Sequence, residues 1–138
     1  MARQEETGCE PSEEERGMWN EKEIGESLVS AGFRRIRPRN WARRTGDVVQ
    51  LVNLQRSQWS KEDNYLNFAL WPLVMGEPPS LAENRFPFRL RVETPGGIAA
   101  FLPLLERDFG SLLRLRESIG AYRAVAWVTL ELRAILDD

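Results

Sequence analysis

Apolar positions between residues 24 and 31 follow the spacing of a helix. Ile24, Leu28 and Ala31 lie four and three positions apart, which places them on one helical face. Gly32 and Phe33 follow directly, a pair typical of a Schellman motif, in which the glycine is left-handed and the next apolar residue packs back onto the helix. The sequence therefore predicts a first helix that ends at about residue 31.

The start of this helix is predicted from residues that favour helix caps. Ser12 followed by Glu15 fits a capping box, so we expect the helix to begin there. Residues 1–11 are polar and acidic with almost nothing apolar to bury, and we expect them to be a disordered tail. Residues 12–138 then form one domain, since a chain of this length suits a single core.

The middle of the chain has the signals of antiparallel strands. Residues 41–44 and 47–55 flank Thr45-Gly46, a tight-turn signal, and the second of these segments is rich in β-branched residues. Its apolar residues occupy both parities, so we expect a central strand covered on both faces, with one face becoming polar at its far end. A loop of eight residues, 57–64, separates it from a third strand at 65–71.

Residues 85–92 show the clearest alternation of the chain, since apolar side chains alternate there with three arginines and a proline. Charged residues and proline on one side of a strand are typical of a protected sheet edge. We therefore expect an edge strand, preceded by a surface loop at 75–84. The aromatic residues expected in the core are Trp71, Phe86 and Phe88.

Helical spacing returns after Pro95-Gly96-Gly97 and continues to Leu112, with Pro103 either kinking this segment or opening a new helix. Residues 121–136 also fit a helical stripe and are predicted as a helix, although residues 122–132 alternate nearly as well. The fold class expected is α+β: a twisted antiparallel sheet of about four strands, with the N-terminal helix and the C-terminal helices packed on it.

Composition removes several classes of chemistry. The chain has no histidine and one cysteine, Cys9, which excludes histidine-dependent nucleophiles, histidine-ligated metals and an internal disulfide. Among the carboxylates, Asp47 suits a turn and Glu62-Asp63 suits a solvated loop tip. We expect no catalytic residues, no metal and no cofactor. With no apolar stretch suited to a signal peptide or a membrane span, we expect a soluble cytoplasmic protein.

Charge is strongly segregated although the net charge is only −2. Residues 1–33 carry three basic groups against nine glutamates, and residues 34–61 carry eight basic groups against Asp47. Two interpretations remain open: the acidic segment lies against the basic one within the fold, or the basic segment is exposed to an anionic partner.

Four segments, 32–35, 41–44, 47–60 and 66–70, carry a resemblance to a known family. Their basic and aromatic residues, followed by a strand that ends in Asn53 and leads to Trp59, resemble the uncharacterised bacterial family known as domain of unknown function 4304. The similarity covers roughly residues 20–72, whereas residues 85–90 depart from a segment that is richer in tryptophan in the family. The resemblance implies a small α+β domain and supplies no activity.

Two groups of residues are candidates for a binding site. Arg43 and Arg44, beside Trp41, combine guanidinium groups with an aromatic ring, as nucleic-acid binders do, but a solvated hairpin has the same composition. The second group shares one face at the polar end of the central strand and would line a recognition groove, or else satisfy neighbouring loop backbone and plug the core. Its members are Asn53, Gln55, Ser57 and Trp59.

The function expected from these observations is a non-catalytic module that binds a protein or another ligand, with a protein partner as the leading candidate. One alternative is nucleic-acid binding through the hairpin that carries Arg43 and Arg44. A second is an enzyme that uses carboxylates alone. The sequence does not specify the oligomeric state.

Overall fold

The computed structural model describes residues 19–56, 64–93 and 96–137. The predicted tail at residues 1–11 and the capping box at Ser12 lie outside these ranges. The elements in chain order are α1 (Glu21–Ser30), β1 (Arg34–Arg37), β2 (Asn40–Thr45), β3 (Val48–Arg56), β4 (Asn64–Pro72), β5 (Phe88–Val92), α2 (Gly97–Arg107), α3 (Leu112–Ser118), β6 (Ala126–Val128) and α4 (Leu130–Asp137). Short 3-10 turns lie at Leu73–Met75, Glu83–Arg85 and Ile119–Ala121.

Within the described residues the sheet has six strands in the order β1-β2-β3-β4-β5-β6, and each strand pairs antiparallel with its neighbours. The α+β class is confirmed, but the expected number of about four strands is wrong. The two missed strands are the outermost ones. β1 has four residues, three of them arginine, and β6 has only three residues, so neither shows a usable apolar period.

The predicted edge position of β5 is also wrong. Its residues from Phe88 to Leu90 pair with β6, so β5 is an inner strand. Phe86 and Phe88, which alternation placed on one face, lie on opposite faces of the sheet, because the Glu83–Arg85 turn interrupts the pattern and the strand begins only at Phe88. Both rings are buried, as is Trp71, so their prediction as core residues is confirmed.

Helix α1 begins at Glu21. Asn20 caps it, since its side-chain oxygen accepts a hydrogen bond from the backbone N–H of Glu23 at 2.9 Å. Its end is the predicted Schellman motif: Gly32 has a φ of 100°, and the N–H of Phe33 donates to the carbonyl of Leu28 at 2.9 Å. This motif turns the chain directly from α1 into β1.

The helices and strands of the C-terminal third of the chain differ from those predicted. Pro103 opens no new helix, because α2 runs through it from Gly97 to Arg107. Instead of a single helix at 121–136, the chain forms β6 and then α4. Thr129 lies directly before α4, and its side-chain hydroxyl accepts a hydrogen bond from the backbone N–H of Leu132. The near-equal alternation of residues 122–132 reflected this strand. No helix in the described ranges has the length and apolar character needed to cross a bilayer.

The main core lies between one face of the sheet and all four helices of the described chain. Phe68 of β4 is fully buried at its centre, with ring centroids 4.8 Å from Phe109, 5.9 Å from Phe101 and 6.3 Å from Phe88. Such aromatic clusters combine a large buried area with favourable edge contacts. The residues on this face of the sheet are therefore buried against the helices and stabilise the fold.

On the opposite, outer face of the sheet, the described residues form a second, smaller core at one end of the strands. The predicted loop after β4 folds back over it, so that Leu73, Met75, Leu81 and Phe86 pack on the apolar ends of β3 and β4. Trp71 joins this second core, in edge contact with Phe86 at 5.9 Å. As predicted, β3 is covered on both faces and turns polar at its far end, where Gln55 is exposed.

Candidate functional site

Beyond this second core, the outer face carries a group of polar and aromatic residues, which we call the polar patch. Gln55, Arg91 and Trp127 are exposed in it, whereas Asn40 and Asn67 are buried. Strand register places its residues side by side, since Asn40 pairs with Asn53, Asn53 with Asn67, Asn67 with Arg91, Gln55 with Tyr65 and Arg89 with Trp127. The polar patch consists of Asn40, Asn53, Gln55, Tyr65, Asn67, Arg89, Arg91 and Trp127. Five neighbouring strands, β2 to β6, contribute to it.

A row of carboxamides crosses the middle of the polar patch. Asn67 donates from its side-chain nitrogen to the side-chain oxygens of Asn53 and Gln55, both at 3.1 Å. Asn53 in turn donates to the oxygen of Asn40 at 2.9 Å, and Asn40 donates to the carbonyl of Pro38 at 2.8 Å. These linked hydrogen bonds fix the orientation of the amides.

Two arginines of β5 lie stacked on aromatic rings at one side of this row. The guanidinium carbon of Arg89 is 3.9 Å from the ring centroid of Trp127, and that of Arg91 is 4.1 Å from the centroid of Tyr65. Neither arginine forms an ion pair or a side-chain hydrogen bond with any described residue, and the Nε of Arg89 is buried without a partner there. Stacking therefore positions two cations whose hydrogen-bonding capacity the described part of the chain does not use.

Glu83 is the carboxyl group that interacts electrostatically with both of these arginines. Partial burial raises the pKa of Glu83, and the positive charges of Arg89 and Arg91 act in the opposite direction.

The predicted site residues have different positions in the structure. Asn53 and Gln55 lie together in the polar patch, as their shared parity predicted, although they bond to other carboxamides rather than to loop backbone. Ser57 and Trp59 lie outside the described residues.

Arg43 and Arg44 do not form a joint basic surface, because neighbouring residues of a strand point to opposite faces. Arg43 lies on the helix side, where it donates to Gln50, to the carbonyl of Ala31 and to Glu106 at 2.7, 2.7 and 3.1 Å. Burial lowers the pKa of Arg43, partly offset by Glu106. It is a structural residue that joins β2 to the ends of α1 and α2.

Arg44 lies on the outer face, away from the polar patch, and pairs with Glu77 of the covering loop. The hydrogen bond to that carboxylate raises the pKa of Arg44 and lowers the pKa of Glu77. Both groups are more than half exposed, so solvent screens the pair and its contribution to stability is small.

The carboxylates considered for catalysis are dispersed. Asp47 accepts a hydrogen bond from the N–H of Leu112 at 2.9 Å and so caps α3, while Glu62-Asp63 lies outside the described residues. An open groove of about 720 Å³ between α1 and β1 has Glu21 and Glu26 among its lining residues, both exposed. Over the described ranges no three acidic or cysteine side chains lie close enough to hold a metal ion.

A second polar cluster joins α2 to the segment before β6. The buried carboxylate of Asp108 accepts hydrogen bonds from Arg107 at 3.0 and 3.1 Å and from the hydroxyl of Tyr122 at 2.5 Å. The hydrogen bond from Arg107 is the main cause of the lowered pKa of Asp108. Burial is the main cause that raises the pKa of Tyr122 to about 12, and the hydrogen bond to Asp108 is the second cause.

These shifts predict a defined dependence of stability on pH. Asp108 stabilises the fold above its unfolded pKa of about 3.9, and this contribution is lost as the pH falls through its lower folded pKa. The contribution of Tyr122 is present below its unfolded pKa of about 10 and is lost as the pH rises through about 12.

We expect an Asp108→Asn variant to be less stable at pH 7 but to lose less stability below about pH 4. Urea titrations from pH 2.5 to 7 would check this, and parallel curves for both proteins would contradict it.

Sequence reasoning missed most of the polar patch. Arg89 and Arg91 were recognised only as protection for a sheet edge, and their ring partners Tyr65 and Trp127 lie far away in the chain. The usable signal was the shared parity of Arg89 and Arg91, which places both side chains on the face opposite Phe88. Pairing them with Trp127 required β6, which has too few residues to be predicted.

Comparison with known proteins identifies a family but no characterised relative. The chain shows no significant similarity to a curated protein or to a solved structure. The family model described as domain of unknown function DUF4304 matches residues 24–121, which extends the resemblance seen at residues 20–72 through β5, α2 and α3. The chain belongs to the DUF4304 family.

Proposed function

We propose that this protein is a non-catalytic binding module and that the polar patch is the surface that holds its partner, another protein. The observation that carries this proposal is the pair of stacked arginines, Arg89 and Arg91, which have no ion-pair partner among the described residues. Cations held in place beside a row of amides provide directed hydrogen bonds, which a binding surface requires.

The chemistry of the polar patch supports binding rather than catalysis. Its carboxamides and guanidinium groups are hydrogen-bonding groups rather than general acids or bases. The nearby Glu83 is one carboxyl group, whereas an enzyme that uses only carboxylates needs a second acid opposite it. Trp127 is half exposed on this surface, and tryptophan and arginine are the residues that contribute most to protein interfaces.

Nucleic-acid binding through the β2–β3 hairpin has less support. Arg43 donates its hydrogen bonds to other residues of the protein, and Arg44 forms an ion pair with Glu77. The two side chains cannot follow one phosphate backbone, because they lie on opposite faces of the sheet.

Site-specific photo-crosslinking in the native cell tests the proposal. A benzoylphenylalanine placed at Gln55, an exposed position in the polar patch, is expected to give a discrete crosslinked protein band. The matched control places the same group at Leu113, which is 57% exposed on α3 and away from the polar patch. We expect no such band from the control position.

Equal crosslinking from both positions, or a discrete partner captured only from position 113, would contradict the proposal. Mass spectrometry of the band identifies the partner. Circular dichroism of both variants verifies that the fold is unchanged, so a missing band at position 55 then also counts against the proposal.

A further inference from the structure

We infer that the partner segment is extended and acidic, and that it places carboxylates at alternate positions on Arg89 and Arg91. This inference rests on the proposed function and specifies the chemistry of the partner. It is carried by three features of β5 and its neighbours: the guanidinium groups that bond to no described residue, their stacking geometry and their spacing.

Two guanidinium groups without a bonding partner among the described residues favour an anionic ligand. Arg89 and Arg91 hydrogen-bond no described residue, and the described ion pairs of the protein are formed by other arginines. The buried Nε of Arg89 also lacks a hydrogen-bond partner among the described residues, which costs free energy. A carboxylate accepts two parallel hydrogen bonds from one guanidinium group, and Arg91 is exposed to such a ligand.

The stacking geometry favours a carboxylate over a nucleic acid. Proteins that bind single strands leave aromatic rings free so that bases can stack on them. Here the rings of Tyr65 and Trp127 are each covered by a guanidinium group, at 4.1 and 3.9 Å. The local positive charge is also small, with Glu83 beside the two arginines, whereas phosphate backbones are usually held by more cations.

The spacing specifies an extended partner. Arg89 and Arg91 are two positions apart on one strand, so their side chains leave the same face about 6.6 Å apart. An extended peptide presents alternate side chains at the same interval of about 6.6 Å. A segment with acidic residues at alternate positions therefore matches both arginines at once, whereas consecutive acids point to opposite sides.

Titration of the full chain with short peptides, followed by ¹H–¹⁵N NMR, tests this inference. The probe is the acetylated hexapeptide Glu-Thr-Glu-Thr-Glu-Thr amide, and the matched control is acetylated Glu-Glu-Thr-Thr-Glu-Thr amide, which has the same charge and composition but no two glutamates two positions apart. We expect the alternating peptide to shift the resonances of Asn67, Arg91 and Trp127, and to bind several-fold more tightly than the control peptide.

Two double variants locate the binding site. In Arg89→Gln/Arg91→Gln the affinity for the alternating peptide is expected to fall about tenfold. Arg123→Gln/Arg133→Gln removes the same charge from exposed positions near the C-terminus and is expected to leave it unchanged. Thermal unfolding of each variant verifies that the fold is intact.

Three results would overturn the inference. They are equal affinity for both peptides, an unchanged affinity in Arg89→Gln/Arg91→Gln, and preferential binding of a twelve-nucleotide oligothymidylate at the same resonances. A partner captured at position 55 together with any of these results would leave the binding module standing with a different ligand chemistry. The absence of any capture at position 55 would count against the proposed function itself.

Discussion

The Gln50→Leu variant is expected to lose about 3–5 kcal/mol of unfolding free energy, because it breaks a fully buried hydrogen-bond network. Gln50 is 0% exposed, and its side-chain nitrogen donates to the carbonyls of Leu105 and Phe109 at 2.8 and 2.9 Å. Its oxygen accepts from the Nε of Arg43 at 2.7 Å. Leucine fills a similar volume but leaves these three groups without partners.

Urea denaturation monitored by circular dichroism measures this loss. The matched control is Gln55→Leu, in the same strand but exposed on the outer face, for which we expect a change below about 1 kcal/mol. The network joins β3 to the C-terminal end of α2, so we also expect increased hydrogen exchange at Phe109 in Gln50→Leu. Equal destabilisation of the two variants would show that the network contributes nothing beyond packing.

The Phe68→Ala variant is expected to lose about 3–5 kcal/mol, by a different mechanism. Phe68 is fully buried, and its ring contacts three other phenylalanines of the main core. Alanine removes these contacts and leaves a cavity that the surrounding strands and helices fill only in part. Since a domain of this size is stable by only about 5–15 kcal/mol, much of its stability depends on this ring.

Chemical denaturation of Phe68→Ala and Phe68→Leu separates the cavity from the loss of an aromatic ring. Phe68→Leu keeps most of the volume and is expected to lose less than half as much as Phe68→Ala. A loss below about 1 kcal/mol in Phe68→Ala would contradict the central position assigned to this residue.

The sequence predicted those parts of the fold whose signals are local. The end of α1 follows from Gly32 and Phe33, because the left-handed glycine and the apolar contact lie within one turn of the helix. The β2–β3 hairpin follows from Gly46, which has a φ of 58°. The polar end of β3 follows from the parity of Asn53 and Gln55.

The parts that were missed depend on pairing between distant segments. The sequence of β5 does not show that Ala126–Val128 pairs with it. For that reason its arginines were interpreted as residues that protect an edge strand. The covering of the outer face by residues 73–86 is likewise a tertiary event, since Leu73, Met75 and Leu81 have no periodic spacing. Strand parity alone, however, is sufficient to separate Arg43 from Arg44.

The structure divides the polar residues of the sheet into two groups with different roles. Gln50 and Arg43 face the helices, and their hydrogen bonds hold the fold together. The polar patch faces outward, and its arginines make no hydrogen bonds with described residues. Substitutions in the first group should therefore change stability, whereas substitutions of Arg89 and Arg91 should change binding with little effect on folding.

The measurement that tests this account most directly is the yield of photo-crosslinking at position 55 with and without the two arginines. We predict that Arg89→Gln/Arg91→Gln abolishes the crosslinked partner band while the unfolding temperature stays the same, and that Arg123→Gln/Arg133→Gln leaves the band intact. An undiminished band in Arg89→Gln/Arg91→Gln would contradict the claim that these arginines hold an acidic partner on the polar patch.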